Sequence, residues 1–345
     1  MLKPQTSPYR ELVNLDGIWR FAVDGAIGAE PWSARLDTTL EAAVPASYND
    51  LFTDSDIRDH VGWVWYQRTV RVPRGWAGER IVLRLDSATH HGRVYVNDSL
   101  VAEHVGGYLP FEADITDTVS AGDEFRLTIG VDNELTNVTI PPGTITVSAD
   151  GRRQQKYHHD FYNYAGLARS VWLYSRPTVH LDDVTVVTGT DGTTGVVDFA
   201  TSVSAAATVR LRVLDADGAE VAAAEGADGT IRIDDVNLWR PGKAYLYDLD
   251  VEVLHEGRVV DSYRQSFGVR TVEVRGAQFL INGEPFYFTG FGKHEDSPVR
   301  GKGHDNAYLV HDFQLMDWIG ANSFRTSHYP YAEEVMEFAD RHGIV

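Results

Sequence analysis

The sequence predicts a multidomain protein in which two successive β-sandwiches lead into the opening of a (β/α)8 TIM barrel. Three observations carry that expectation. Short stretches of period-2 alternation, punctuated by Gly, Pro, Asn and Asp, fill the first half of the chain. At about Pro177 the texture changes to cleaner strands poorer in aromatics, and after Gly276 apolar strands begin to alternate with stretches of helical period. At roughly 150 residues per domain, 345 residues suggest two or three domains. The 43% apolar content, the 8 Trp and a charged fraction of only 23% describe chains that bury a core rather than solvated polyelectrolytes.

The first unit is expected over residues 1–176. Arg68-Thr69-Val70-Arg71-Val72, Leu83-Arg84-Leu85 and Phe125 to Val131 alternate apolar and polar residues, the mark of half-buried strands, and no stretch sustains a helical period. An all-β sandwich follows. The second unit, residues 177–275, alternates more regularly. Val209, Leu211 and Val213 oppose Arg210 and Arg212, Asp217-Gly218 marks a tight turn, and Tyr247, Leu249, Val251 and Val253 oppose Asp248, Asp250 and Glu252. About 100 residues of this kind suit an immunoglobulin-like sandwich.

The third unit, residues 276–345, opens with the nearly continuous apolar run Pro285 to Phe291, expected as one strand covered on both faces. A helix is predicted from about Asn306 to Ile319 with Leu309, Phe313 and Met316 as its apolar stripe. A strand from Ala321 to Thr326 and a second helix from about Ala332 to His342 follow. The second helix turns Val335, Phe338 and Ala339 inward, and Gly343 is placed to cap it. Ile344 and Val345 read as the start of a third strand. Two βα units cannot cover a parallel sheet, so the chain is expected to be the first part of a (β/α)8 barrel needing on the order of 200 further residues.

Composition excludes several chemistries. With no cysteine there is no disulfide scaffold, thiolate metal site or cysteine nucleophile. A formal charge of -19 without a compensating basic run argues against nucleic acid as a partner. The first residues lack the apolar stretch of a signal peptide and no 18-residue apolar run exists, so a cytoplasmic protein without membrane insertion is expected. The tripeptides Asn97-Asp98-Ser99 and Asn137-Val138-Thr139 match glycosylation sequons without meaning in that compartment.

In barrel enzymes the working residues sit at the C-terminal ends of the strands. Here these ends run into Gly292-Lys293-His294-Glu295-Asp296 and into Arg325-Thr326-Ser327-His328-Tyr329-Pro330-Tyr331. Both are rich in polar and aromatic groups, and two adjacent histidine-bearing ends point to a site. His294-Glu295 lacks the second histidine of a His-Glu-x-x-His motif, and His158-His159-Asp160 is expected to place neighbours on opposite faces of a strand, so neither forms a chelating pair. Neither a metal nor another cofactor is expected. Ser327 and His328 adjoin without a nucleophile elbow. Glu333 and Glu334 in the first turn of the second helix complement its dipole.

The segment FTGFGKHEDSPVRGKGHDN, from Phe288, and the later NSFRTSHYPYAEE resemble the opening of the catalytic barrel of glycoside hydrolase family 2, in its bacterial β-glucuronidase branch. LDGIWRF, VPASYND, WVWYQRTV, GGYLPFEADIT and HDFYNYAG resemble that family's jelly-roll sugar-binding sandwich, and LWRPGKAYLYDL its immunoglobulin-like middle domain. HDFYNYAG with GKHED favours the glucuronidase branch over β-galactosidases and β-mannosidases.

The resemblance implies a retaining exo-glycosidase that splits β-D-glucuronides with two glutamates about 5 Å apart, as acid/base and nucleophile. Both glutamates, and an Asn-x-Lys that reads the glucuronate carboxylate, are expected after Val345, so no catalytic residue is assigned within this chain. Substrate-binding roles are implied for Asp160, from a sandwich loop reaching the barrel mouth, and for His328, with Arg325 and His294 beside them. A small-molecule glucuronide or glycan is the implied partner, and a homo-oligomer, a tetramer, the implied assembly. The alternatives are a non-catalytic carbohydrate-binding or assembly module and another family 2 specificity.

Overall fold

The computed structural model describes residues 1–25 and 27–345. Its first unit packs a six-stranded antiparallel sheet on a four-stranded one. In spatial order the larger sheet is Glu41–Val44, Gly17–Val23, Trp63–Arg71, Glu124–Asp132, His91–Val96 and Ser99–Val105. The smaller is Leu12–Asn14, Val171–Arg176, Arg80–Leu85 and Phe111–Asp114. Alternation sets the facing: Phe125, Leu127, Ile129 and Val131 all enter the core between the sheets. The opposite face of the larger sheet is not fully wet. Trp65 and Tyr95 are buried there, with Trp32 stacked on Tyr95 at 4.5 Å, which accounts for several of the tryptophans.

The middle unit is a sandwich of a three-stranded sheet (Leu181–Asp191, Thr194–Val203, Asp228–Ile233) and a four-stranded one (Glu220–Glu225, Thr208–Leu214, Tyr247–His255, Arg258–Phe267). Val209, Leu211, Val213, Leu249, Val251 and Val253 fill its core, while Arg210 lies opposite Glu252 and pairs with it on the outer face. Gly218, at φ 80°, takes the left-handed position of the turn predicted there. The two sandwiches are joined by a buried ion pair. Arg10 Nε donates to Asp261 Oδ1 at 2.9 Å, and Asp261 also accepts from the Leu181 amide.

In the third unit Gly290–Lys293 pairs in parallel with Ser323–Thr326, Gly292 opposite Arg325. The helix Asn306–Ile319 starts at an Asp305 cap whose carboxylate accepts from the Ala307 amide at 2.7 Å, and it ends at left-handed Gly320. Leu309, Phe313 and Met316 are buried as the stripe requires. Helix Glu333–His342 buries Val335 and Ala339, leaves Phe338 half-buried and is capped by left-handed Gly343. Val345 exchanges backbone bonds with Asn322 and Phe324, the first rung of a further parallel pairing.

Two sequence expectations are corrected. Pro285 to Phe291 is not one strand covered on both faces. Glu284–Phe286 closes an antiparallel hairpin on Gln278–Ile281, the chain breaks at Tyr287 to Thr289, and a separate strand begins at Gly290. Phe279, Phe286 and Phe288 pack on one another at the break, while Tyr287 is 82% and Phe291 44% exposed. An apolar run reports burial propensity and not partner, so periodicity could not separate the two strands. His158 to Asp160 also lie beyond the strand Arg153–Tyr157, in a bend, and the expected alternation of faces does not apply to them.

Candidate functional site

The two parallel strands end side by side, and their loops meet a loop of the first sandwich. This junction is built by close contact. Gly301 and Gly303 let the barrel loop dovetail with residues 45–48: a Cβ on Gly303 would stand 2.5 Å from the Ala46 Cα, and one on Gly301 2.8 Å from the Ser47 Cβ. The Ser47 amide donates to the Arg300 carbonyl at 2.8 Å, and the Lys302 amide to Ser47 Oγ at 3.1 Å. Arg169, buried at the edge of the sandwich, donates to the Tyr108 carbonyl at 2.8 Å and the Pro330 carbonyl at 2.7 Å, and faces Glu295 at 3.4 Å. One guanidinium thereby ties the sandwich to both strand-end loops, a task suited to its fork of donors.

On this frame the sequence-predicted residues converge. The rings of Phe161, His294 and His328 form a near-equilateral triangle: 5.6 Å from Phe161 to His294, 5.9 Å from Phe161 to His328 and 5.7 Å between the histidines. Asp160 is the neighbour of Phe161 in the sandwich loop. It is exposed, and its charge reaches His294, whose affinity for a proton it raises. Arg325, opposite Gly292 in the sheet, points its guanidinium at His328 Nδ1, 2.9 Å away.

That contact fixes a tautomer. A guanidinium has only donors, so His328 Nδ1 must accept and the proton of the neutral ring sits on Nε2, leaving an N–H donor for a ligand. His294 is pushed below the usual imidazole range by burial, with Lys302 and His328 adding to the effect and Asp296 opposing it. This favours the neutral ring, and its Nδ1 is buried without a hydrogen-bond partner among the described residues. The result is a cluster of one carboxylate, two imidazoles, a guanidinium and an aromatic ring where the sandwich loop meets the two strand ends. Such groups suit the directional hydroxyls and apolar ring face of a sugar. Among the described residues no group of three His, Asp or Glu stands close enough to hold a metal ion, and no helix is long and apolar enough to cross a membrane.

Reasoning from sequence passed over Phe161, Arg169, Glu295 and Lys302. Phe161 and Lys302 lie inside the quoted motifs, but nothing in the sequence alone marks them for the site. Arg169 and Glu295 act through contacts between residues 126 positions apart, for which a single sequence holds no signal. Glu333 does more than complement a helix dipole: its carboxylate accepts from Arg84 at 2.7 Å, joining the second helix to the sandwich.

Three family models match in order: "Glycosyl hydrolases family 2, sugar binding domain" over residues 12–177, "Glycosyl hydrolases family 2" over 179–270, and "Glycosyl hydrolases family 2, TIM barrel domain" over 272–345. A Paenibacillus borealis protein named β-glucuronidase is 50% identical over 355 residues, covering 100% of this chain and 60% of the relative. The human protein of that name is 46% identical, over 100% and 58%. The crystal structure of Ruminococcus gnavus β-glucuronidase superposes with a TM-score of 0.97 at 38% identity, covering 100% of this chain and 59% of that one. A further structure of that protein, in complex with D-glucuronic acid, superposes equally well. The chain thus spans about 60% of the length of the curated relatives it matches.

Proposed function

Since the chain belongs to glycosyl hydrolases family 2, we propose that it forms the N-terminal part of a retaining exo-β-glucuronidase, releasing D-glucuronate and an alcohol from β-D-glucuronides. The observation that carries this reading is the meeting of Asp160 and Phe161 with His294, His328 and Arg325 at the C-terminal ends of two parallel barrel strands. The names of the relatives and the glucuronic acid complex of the R. gnavus protein support the choice of sugar.

In this proposal Asp160 accepts hydrogen bonds from sugar hydroxyls and His328 donates through Nε2. Arg325 holds His328 in that tautomer, and neutral His294 offers a further polar contact. Contacts that tighten as the ring flattens toward an oxocarbenium ion lower the barrier, whereas contacts equal in both states only improve binding. The acid/base and nucleophilic glutamates are assigned to the polypeptide beyond Val345. A cytoplasmic homo-oligomer, a tetramer, and the domain divisions 1–176, 177–275 and 276–345 belong to the same proposal.

The test is hydrolysis by the full-length polypeptide of 4-nitrophenyl β-D-glucuronide against the matching β-galactoside and β-mannoside, with the anomer of the first product read by NMR. A preference for the glucuronide with retained configuration is expected. Preference for another glycoside would overturn the specificity, and sugar binding without turnover would favour a carbohydrate-binding module.

A further inference from the structure

Lys302 has no part in the reading above, and its surroundings are unusual for a lysine. The side chain is 1% exposed. Its Nζ lies 4.0 Å from the centre of the Phe161 ring, 4.2 Å from Tyr329 and 5.9 Å from Tyr108. Within the described residues it has no hydrogen-bond acceptor, and the Asp296 carboxylate stands off at 3.9 Å. Lysine stems commonly reach out to keep the head in water. Here the stem starts between Gly301 and Gly303, in the loop clamped to Ser47, and the head ends under aromatic rings.

The rings come from both sides of the junction. Tyr108 and Phe161 belong to the sandwich, and Tyr329 to the loop after the second barrel strand; Tyr108 and Tyr329 stack at 4.3 Å. A buried ammonium with no oxygen close enough to accept from it depends on the negative faces of such rings. Displacing the sandwich loop would take away the nearest one. We propose that Lys302 is a positioning residue that seats the Asp160–Phe161 loop of the sandwich on the barrel edge, through the Phe161 ring. The consequence for sugar binding rests on the proposed role of Asp160, whereas the seating does not.

This role is separable from general stabilisation. Burial pushes the Lys302 ammonium down to about 8 against the pull of Asp296 and Glu295. The other titratable groups that sense it, His90 and His159 from the sandwich and His294 from the barrel, are pushed down chiefly by burial, and its charge adds to the effect. A group harder to protonate in the fold than in the unfolded chain opposes folding while it is charged, so its value lies in where it forces its partners to sit. Lys302→Met fills similar space without the charge. It should leave the melting temperature equal or higher while loosening the loop.

The experiment is hydrogen–deuterium exchange across residues 157–164 in the full-length polypeptide, for wild type, Lys302→Met, Phe161→Leu and the double variant, with melting temperatures and kinetics on 4-nitrophenyl β-D-glucuronide. Loss of one desolvated cation–π contact should speed exchange of the loop about tenfold in either single variant. The double should be little worse than either single, because both remove the same contact. A fall in kcat/KM carried mainly by KM should accompany the change. Unchanged loop exchange in Lys302→Met, additive loosening in the double, or a lowered melting transition with exchange raised throughout the protein would each overturn the proposal. A loosened loop in a polypeptide whose wild type splits no glucuronide would sink the functional reading and leave the seating intact.

Discussion

Replacing Asp160 by alanine should separate sugar binding from folding. The carboxylate is exposed and enters no hydrogen bond or ion pair among the described residues, so its removal should change stability by less than about 0.5 kcal/mol. The loss should fall on the ligand instead. Each charge-assisted bond from a sugar hydroxyl is worth roughly 1.5–3 kcal/mol, so one lost contact lowers kcat/KM about ten- to a hundredfold, and two contacts to adjacent hydroxyls lower it further. His328→Ala removes one Nε2–H donor and frees the Arg325 guanidinium 2.9 Å away, and a loss of about tenfold is expected. Both groups would grip one ring, so the double variant should lose less than the product of the single losses. The assay is kcat/KM on a glucuronide in the full-length polypeptide, with thermal unfolding of wild type, both singles and the double. Wild-type efficiency in Asp160→Ala, or a loss that tracks a lowered melting transition, would refute the assignment.

Four further outcomes are expected. The 345-residue chain alone should show no turnover of a chromogenic glucuronide, and a rate well above buffer would contradict the placement of both glutamates beyond Val345. Burial pushes His90 down to about 4, with its Nε2 against Asn163 Oδ1 at 2.6 Å. Its contribution to stability is therefore complete above the unfolded value of about 6.5 and lost as pH falls toward 4, by up to about 3 kcal/mol; a flatter melting-temperature profile over that window in His90→Gln would check it. Asp261→Ala strands the Arg10 guanidinium and should destabilise by about 3–5 kcal/mol, whereas an Arg10→Met, Asp261→Leu pair should recover part of the loss in the same melting assay. Gly303→Ala drives a Cβ into the Ala46 backbone and should weaken the sandwich–barrel junction by about 1–3 kcal/mol, seen as faster proteolysis near residues 297–305.

The sequence by itself determined the local structure and the family. Alternation placed Phe125 to Val131 and Tyr247 to Val253 on their strands, because a sheet buried on one face imposes period 2 on whatever chain forms it. The stripe Leu309, Phe313, Met316 and the glycine at 343 located two helices for the same kind of reason: the signal lies within a few residues of the element it describes. Only the tertiary structure decided what these elements build together. It broke Pro285 to Phe291 into two strands with different partners, since an apolar run carries no address. The burial of His294 Nδ1, the reach of Arg169 across the junction and the aromatic seat of Lys302 each depend on atoms from loops distant in the chain, and the tautomer of His328 depends on how the strand end turns Arg325 toward it. Residue type sets what a side chain can donate, accept or charge, but the partner and the dielectric that decide which of these it does are supplied by folding.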